Sequence, residues 1–427
     1  MRTIIVQDIN AIVADVRKRP KPTEKEKKIV NDILLDVQKN PQDSTLIKYE
    51  KKGGKLRADL KSIRVKKSEI KNAYCKVTKD QIDAIKLAKK RLERTELALK
   101  SKLEKITIKS DGIKIIKTFV PIESVGCYIP GGEARYPSTV IMSVIPAKVA
   151  GVKKIVAVSP PGKNGDIDPL TLVAADICGV DEFYKAGVAG IAALAYGTKS
   201  VPKVDKIVGP GGSFITIAKY LVSETVSIDM VAGPTELAII ADSSADPNVV
   251  ASDLISQAEH GHASMCCLIT TSKNLKNMVL DSLQKQISKI QRREFVKASL
   301  KNNGFIAICK TESDVIEFAN QFAPEHLEII TKNPQQIAQK ITSAGLVLIG
   351  KDTPSSASDY LLGSNHILPT NGFARSRGSL GVLDFMKIQS IVETSKAELR
   401  RISKYIKSLT TAEGLPNHYE AVRTRLK

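Results

Sequence analysis

From Ile106 onward the chain alternates short apolar runs with amphipathic stretches, and it does so in two successive blocks punctuated by glycine and proline. No other feature limits the fold as much. In the first block the pattern predicts strands over 125–130, 154–159, 182–185 and 206–210, with helices over 138–150, 170–178 and from 191. In the second it predicts strands over 235–242, 265–271, 304–309 and 345–350, with helices over 247–260 and 313–322. Strands that read as continuous apolar runs are buried on both faces, and parallel neighbours need a crossover helix between them. The expected fold class is therefore α/β, with two Rossmann-like domains whose sheets are rich in parallel strands. The second block is short of elements, so one domain is expected to be discontinuous and the other inserted in it. That division places 25–125 with 234–380 and inserts 126–233. Residues 1–110 read as helical, since Ile82, Ile85, Leu92 and Leu99 recur near helical spacing among Lys and Glu, and Lys51 to Gly54 looks like a break between helices. Residues 1–24 are taken as an N-terminal helical arm and 381–427 as a C-terminal one, the latter suited to holding a second subunit.

With 427 residues the chain exceeds what one core usually organises, leaving room for a cleft. Of the net charge of +20, about +15 lies in residues 1–110, where 30 basic side chains face 15 acidic ones. Such a surface suits anionic partners, nucleic acid included, or is simply a solvated Lys-rich face. The second reading is preferred because no nucleic-acid-binding signature accompanies the charge. Six scattered cysteines without a C-x-x-C pair read as buried thiols in a reducing compartment. Asp8 and Asp15 interrupt the first apolar stretch, so it is not a signal peptide, and no window has the length and apolarity of a membrane span. A cytoplasmic location is expected.

Histidine is scarce: only His260, His262, His326, His366 and His418 occur. In the QAEHGH segment Gln257 and His260 stand three apart, which puts both on one face of a continuing helix, as two ligands of one metal require. A helix C-terminus, where histidine and glycine are favoured, explains the same residues. Glu325 and His326 follow Pro324 and are expected on an irregular segment, where they serve as an acid–base pair or lie in an exposed capped turn. Asp359, in a polar stretch broken by Gly and Pro, suits a metal ligand or the cap of the next helix. Glu413 and His418 in the tail carry no chemistry by themselves. Two glycine turns, at 126–132 and 209–212, follow strands and precede helices, so they could hold phosphate, but neither matches the dinucleotide fingerprint.

Taken together and in order, GCYIPGGEARYPSTVIM, IAALAYGT, VPKVDKIVGPGG, IDMVAGPTELAIIAD, ASDLISQAEHG, FAPEHLEI, SASDYLLGSNHILPT and AEGLPNH resemble the histidinol dehydrogenases, from about Ile122 to the C-terminus. The resemblance implies a zinc-dependent enzyme that oxidises L-histidinol to L-histidine with two NAD, through the aldehyde and its hydrate, in histidine biosynthesis. By motif, Gln257, His260, Asp359 and His418 would hold the zinc, with His418 coming from the other subunit of a homodimer with shared active sites. Glu325 and His326 fall on the catalytic acid–base pair. Thr235, Gln257, His260, His326, Asp359, Glu413 and His418 fall on substrate-binding positions, and Tyr128, Ala189 and Gly212 on cofactor-binding ones. In domain terms, 25–125 with 234–380 would carry most of the metal and catalytic site, and 126–233 the NAD side. Three positions depart from the family pattern. Ala189 replaces a glutamine and Gly212 an asparagine, each losing a hydrogen-bonding side chain toward NAD, whereas Thr235 replaces a serine and keeps its hydroxyl. Weaker NAD binding is the expected consequence. Two other readings are a zinc and NAD dehydrogenase of another small alcohol, and a basic nucleic-acid-binding protein on an enzyme-like scaffold.

Overall fold

The computed structural model describes every residue except 19–21, 54–59, 61 and 132–134, so Gly54 and Gly132 of the expected turns lie outside the described residues. The chain opens on β1 (Arg2–Ile5) and α1 (Ile9–Val16), followed by α2 (Glu24–Lys39), α3 (Asp43–Lys52), α4 (Lys67–Tyr74) and α5 (Lys79–Lys100). An antiparallel pair, β2 (Ile106–Ser110) and β3 (Ile113–Pro121), leads into the first alternating block. That block comprises β4 (Ser124–Tyr128), α6 (Pro137–Ala150), β5 (Lys154–Ser159), α7 (Pro169–Cys178), β6 (Glu182–Lys185), α8 (Val188–Tyr196), β7 (Lys206–Val208), α9 (Ser213–Val222) and β8 (Ser227–Ile228). The second block comprises β9 (Glu236–Ala241), α10 (Pro247–Ala258), β10 (Met265–Thr270), α11 (Lys273–Ile287), α12 (Arg293–Asn302), β11 (Phe305–Ile308), α13 (Glu312–Phe322), β12 (His326–Ile330), α14 (Pro334–Ala338), β13 (Leu346–Ile349) and α15 (Ser355–Ser358). Strand β14 (Met386–Thr394) and helices α16 (Lys396–Ala412) and α17 (Pro416–Leu426) complete it.

Each block builds one all-parallel sheet. The first has strand order β6-β5-β4-β7-β8 and the second β1-β11-β10-β9-β12-β13. In both, the order reverses at the middle, between β4 and β7 and between β9 and β12, which are the switch points where a crevice opens in such sheets. A small antiparallel sheet, β14-β3-β2, joins the chain's middle to its C-terminal arm. Helix starts follow the local chemistry: Asp168 and Asp246 each accept a backbone N–H at the head of α7 and α10, with proline in the first turn.

Packing corrects the expected allocation of the N-terminal third. Residues 1–5 are not helical, because β1 pairs in parallel with β11 some 300 residues away and α1 packs on α13. The short run gains its partner only through the tertiary fold, so nothing local announces it. Helices α2 to α5, expected with 234–380, instead cover the first sheet: α2 lies on α8 and α9, α4 on α7, and α5 on α6 and α7. Their apolar faces, including Val30, Leu34, Ile85 and Leu92, enter the two cores of that sheet and leave most of the lysines in solvent. The second sheet thus gains β1, with α1 beside it, and the first block lies in the chain between these elements and β9. The C-terminal arm, expected to be helical throughout, carries β14 between a 3-10 turn at Val382–Phe385 and α16. Five of the six cysteines are buried and free, and Cys75 is exposed. Among the described residues no helix is long and apolar enough to cross a membrane.

Candidate active site

Period-two alternation decides what β9 and β12 present. Leu237, Ile239 and Ile330 face the core beneath α10, whereas Ala238, Ile240, Leu327 and Ile329 face α1 and α13. His326, in register with Leu237, therefore points to the α10 side, where the last turn of α10 brings Gln257. Glu236 points the other way, to Arg17 at the end of α1, 3.5 Å distant. The acid–base candidates consequently sit at the amino-terminal ends of β9 and β12. The irregular segment expected here holds for Glu325, which lies in a bend, but His326 begins β12, and at 6% and 3% accessible the two residues are not in an exposed turn.

A chain of hydrogen bonds links these side chains. Gln257 Nε2 donates to Thr235 Oγ1 at 2.5 Å, and Thr235 Oγ1 donates to Glu325 Oε2 at 2.6 Å, where the Glu236 N–H also arrives at 2.7 Å. Committing its amide nitrogen in this way leaves the Gln257 oxygen as a free ligand atom. His326 Nδ1 lies 3.3 Å from the Glu236 carbonyl and donates its proton there, so the proton that His326 gains or loses is the one on Nε2. Nε2 faces Asp359 Oδ1 at 3.3 Å, both atoms are buried, and neither has a hydrogen-bond partner of good geometry. With Asp359 ionised, these atoms need a proton or a cation between them, and the proton makes His326 an imidazolium.

Asp359 is the C-cap of α15, not the cap of a following helix. Its loop is fastened to the first block by Asn365 Nδ2, which donates to the Met142 carbonyl at 2.8 Å, and is closed on itself by His366, whose Nδ1 lies 2.8 Å from the Asp359 carbonyl. His366 was visible only as one of five histidines, and its role is to brace this loop. Burial raises the Asp359 carboxyl, but the imidazoles of His326, His366 and His260 outweigh it and hold the group below its ordinary value. His326 responds oppositely. Burial opposes its charge, while Asp359 and Glu325 on either side lift it to about 9. Burial pushes Glu325 up to about 7. Helix α10 stops at Ala258, so His260 sits in the following turn, its exposed imidazole lowered by partial desolvation against the pull of Asp359. Gln257, His260, Asp359, Thr235, Glu325 and His326 thus come together. Glu413 and His418 do not: both are exposed, at the end of α16 and on α17, a helix with no buried residue. Among the described residues no three His, Cys, Asp or Glu side chains form a metal-binding group.

The candidate cofactor positions border the carboxyl ends of the first sheet. Tyr128 ends β4, and the 209–212 turn follows β7, the two strands of the switch point. Gly209 is required there, at φ +116°, because a Cβ would meet the Tyr128 carbonyl oxygen at 2.1 Å. Its N–H donates to Asp229 Oδ2 and its carbonyl accepts from Lys219 Nζ, both at 2.8 Å, and Lys219 and Asp229 are themselves a buried ion pair. Gly212 heads α9 with open space where a side chain would stand. Ala189 is buried in the core and offers no polar atom. Beside it, Glu50 accepts the Gly187 N–H at 2.7 Å and is pushed up to about 7 by burial, a group that its place among the basic N-terminal helices did not single out. A cavity of about 120 Å³ joins both halves, lined by Gly209, Gly211, Thr235, Glu325 and His366 among others.

An acid–base pair buried at the seam between two parallel-sheet units, with a mixed nitrogen and oxygen donor set beside it, defines a two-domain α/β enzyme. Its relatives narrow the class. A family model described as histidinol dehydrogenase matches residues 16–426. The chain is 43% identical over 395 residues to the histidinol dehydrogenase of Clostridium acetobutylicum, covering 92% of this chain and 91% of that one. It is 41% identical to that of Geobacter sulfurreducens over 433 residues, covering 100% of both. The crystal structure of histidinol dehydrogenase from Elizabethkingia anophelis superposes with a TM-score of 0.93 at 37% identity, over 100% of this chain and 98% of that one. The chain belongs to the histidinol dehydrogenase family, oxidoreductases that carry out the NAD-linked two-step oxidation of histidinol in histidine biosynthesis.

Proposed function

We propose that this chain oxidises L-histidinol to L-histidine at a zinc site completed by a second copy of itself, with Gln257, His260 and Asp359 from one chain and His418 from the other. The observation that carries the reading is Asp359 Oδ1, buried without a hydrogen-bond partner of good geometry and close to the His260 imidazole, beside a Gln257 amide whose nitrogen is already committed. Zinc bound to a mixed nitrogen and oxygen set would supply a positive anchor for the substrate's imidazole and amino nitrogens. The exposed apolar residues of the C-terminal arm, Ile388, Val392, Tyr405 and Leu409, support a homodimer, since such a surface is covered in an assembled protein. Glu413 and His418 belong to that arm, so a partner would carry both to the site. The Lys-rich helices α2 to α5, which use their apolar faces to cover the first sheet, favour the solvated-surface reading of the charge over a nucleic-acid site. A biosynthetic role accords with a cytoplasmic enzyme.

In this reading zinc at Asp359 would engage the carboxylate that holds a proton on His326, leaving Nε2 to accept the alcohol proton with the ring oriented by the Glu236 carbonyl. Tyr128 and the 209–212 turn would hold NAD, which would supply the hydride acceptor for each of the two steps. Glu325 keeps Oε1 free, because Oε2 receives both Thr235 and the Glu236 N–H, and this oxygen draws the proton from the water that hydrates the aldehyde. Thr235 couples the two functions by bridging Gln257 and Glu325, which is why its hydroxyl survives the change from serine. The expected result of an NADH assay is rapid turnover of histidinol, none of simple diols, and loss on chelation that zinc reverses. Equal turnover of diols would favour the dehydrogenase of another small alcohol.

Loss of the side chains at Ala189 and Gly212 is expected to raise the KM for NAD. Gly212→Asn fills open space at an extended N-cap position where asparagine is well suited. Restoring one hydrogen bond should lower the KM for NAD about 2- to 10-fold with kcat little changed. An unchanged KM in an NAD titration would remove Gly212 from the cofactor site.

A further inference from the structure

Behind the site lies a second buried polar cluster with no part in the chemistry above. Asp253 is one helical turn before Gln257 on α10, Glu328 is one pleat beyond His326 on β12, and Ser355 is one turn before Asp359 on α15. These spacings place each residue on the same face as the site residue it precedes or follows. They are 8%, 1% and 1% accessible. Ser355 N–H donates to Glu328 Oε1 at 2.6 Å, and the Asp253 and Glu328 side chains are within hydrogen-bonding reach of each other. As two carboxylates they would both be acceptors, which leaves Glu328 Oε2 buried without a donor. A proton carried by one of them satisfies both at once.

We propose that Asp253 and Glu328 share one proton and, with Ser355, fasten α10, β12 and α15 together, so that this pair sets the positions of Gln257, His326 and Asp359. The proposal rests on the reading of those three as site residues. Burial and the Asp253 charge raise the Glu328 carboxyl, in keeping with Glu328 as the proton's holder. The three elements are contributed by segments far apart in the chain, and α10 packs directly on α15. A linkage that satisfies buried polar groups across all of them positions the site more narrowly than apolar contact, which tolerates sliding. Asp253 and Glu328 are positioning residues, since neither reaches the substrate.

The test is Glu328→Gln beside Glu328→Ala, in the zinc-loaded protein. Glutamine keeps an oxygen for the Ser355 N–H and puts a permanent donor toward Asp253, so kcat should stay within about threefold of wild type. Alanine should lower kcat about 10- to 100-fold, as loss of a supporting partner commonly does. If alanine prevents folding, the glutamine result still decides. A kcat as low in Glu328→Gln as expected for alanine would mean that the pair works as charges, and the proposal fails. Independently of turnover, an infrared difference spectrum of wild type against Glu328→Gln at neutral pH should show the C=O stretch of a protonated carboxyl in wild type alone. Its absence would overturn the shared proton even in an active enzyme, whereas its presence in an enzyme inactive on histidinol would leave the pair intact and fault the functional reading instead.

Discussion

Glu325→Gln is expected to cut kcat for the overall oxidation about 10²- to 10⁴-fold, the usual weight of a general base, while making the folded protein more stable at pH 8. Glutamine can still accept from Thr235 and the Glu236 N–H, so the buried hydrogen bonds persist and the lost property is the ability to take a proton. The stability gain follows from linkage. Glu325 is held at about 7 in the folded protein against an ordinary value of 4.5, so between these values the folded state binds the proton more tightly than the unfolded chain does. Stability therefore falls as pH rises from 4.5 to 7, and the buried charge costs about 3 kcal/mol above that window. Denaturant unfolding of both proteins should agree near pH 4.5 and differ by that amount at pH 8, in favour of the variant. The same displacement makes wild-type turnover fall as pH drops below 7, where the base is already protonated. A variant less stable than wild type at pH 8 would show that Glu325 is not a charge held against its burial.

Much of this architecture could be read from the residues because parallel strands covered on both faces must be apolar throughout. Strands β4, β5, β9 and β10 announced themselves in that way. Strand β12 did not, since it begins on His326 and carries Glu328, two polar residues that burial normally excludes. They are tolerated because Glu236, Asp359 and Ser355 supply partners from elsewhere in the chain. Strand β1 was invisible for a related reason: four residues gain their meaning only by pairing with β11. The Gln257 and His260 spacing was legible, although the helix ends between them and a turn completes the geometry. Motif resemblance marked Glu413 and His418, yet nothing in their own surroundings gives them a function within one chain. Glu50 and the Asp253–Glu328 pair could not be found without packing, because each matters through a neighbour more than 70 residues away.

That last absence points to the central claim, that a complete site requires two chains. Mixing the inactive variants His418→Ala and Glu325→Ala and allowing subunits to exchange tests it directly. In a mixed dimer one site then has an intact Glu325 and receives an intact His418, while the other site lacks both. Random pairing makes half the dimers mixed, each with one working site, so activity should return to about one quarter of wild type, with zinc retained at the restored site. Activity that stays at the level of the separate variants, in dimers verified as mixed, would show that His418 acts on its own chain or not at all, and the shared site would have to be abandoned.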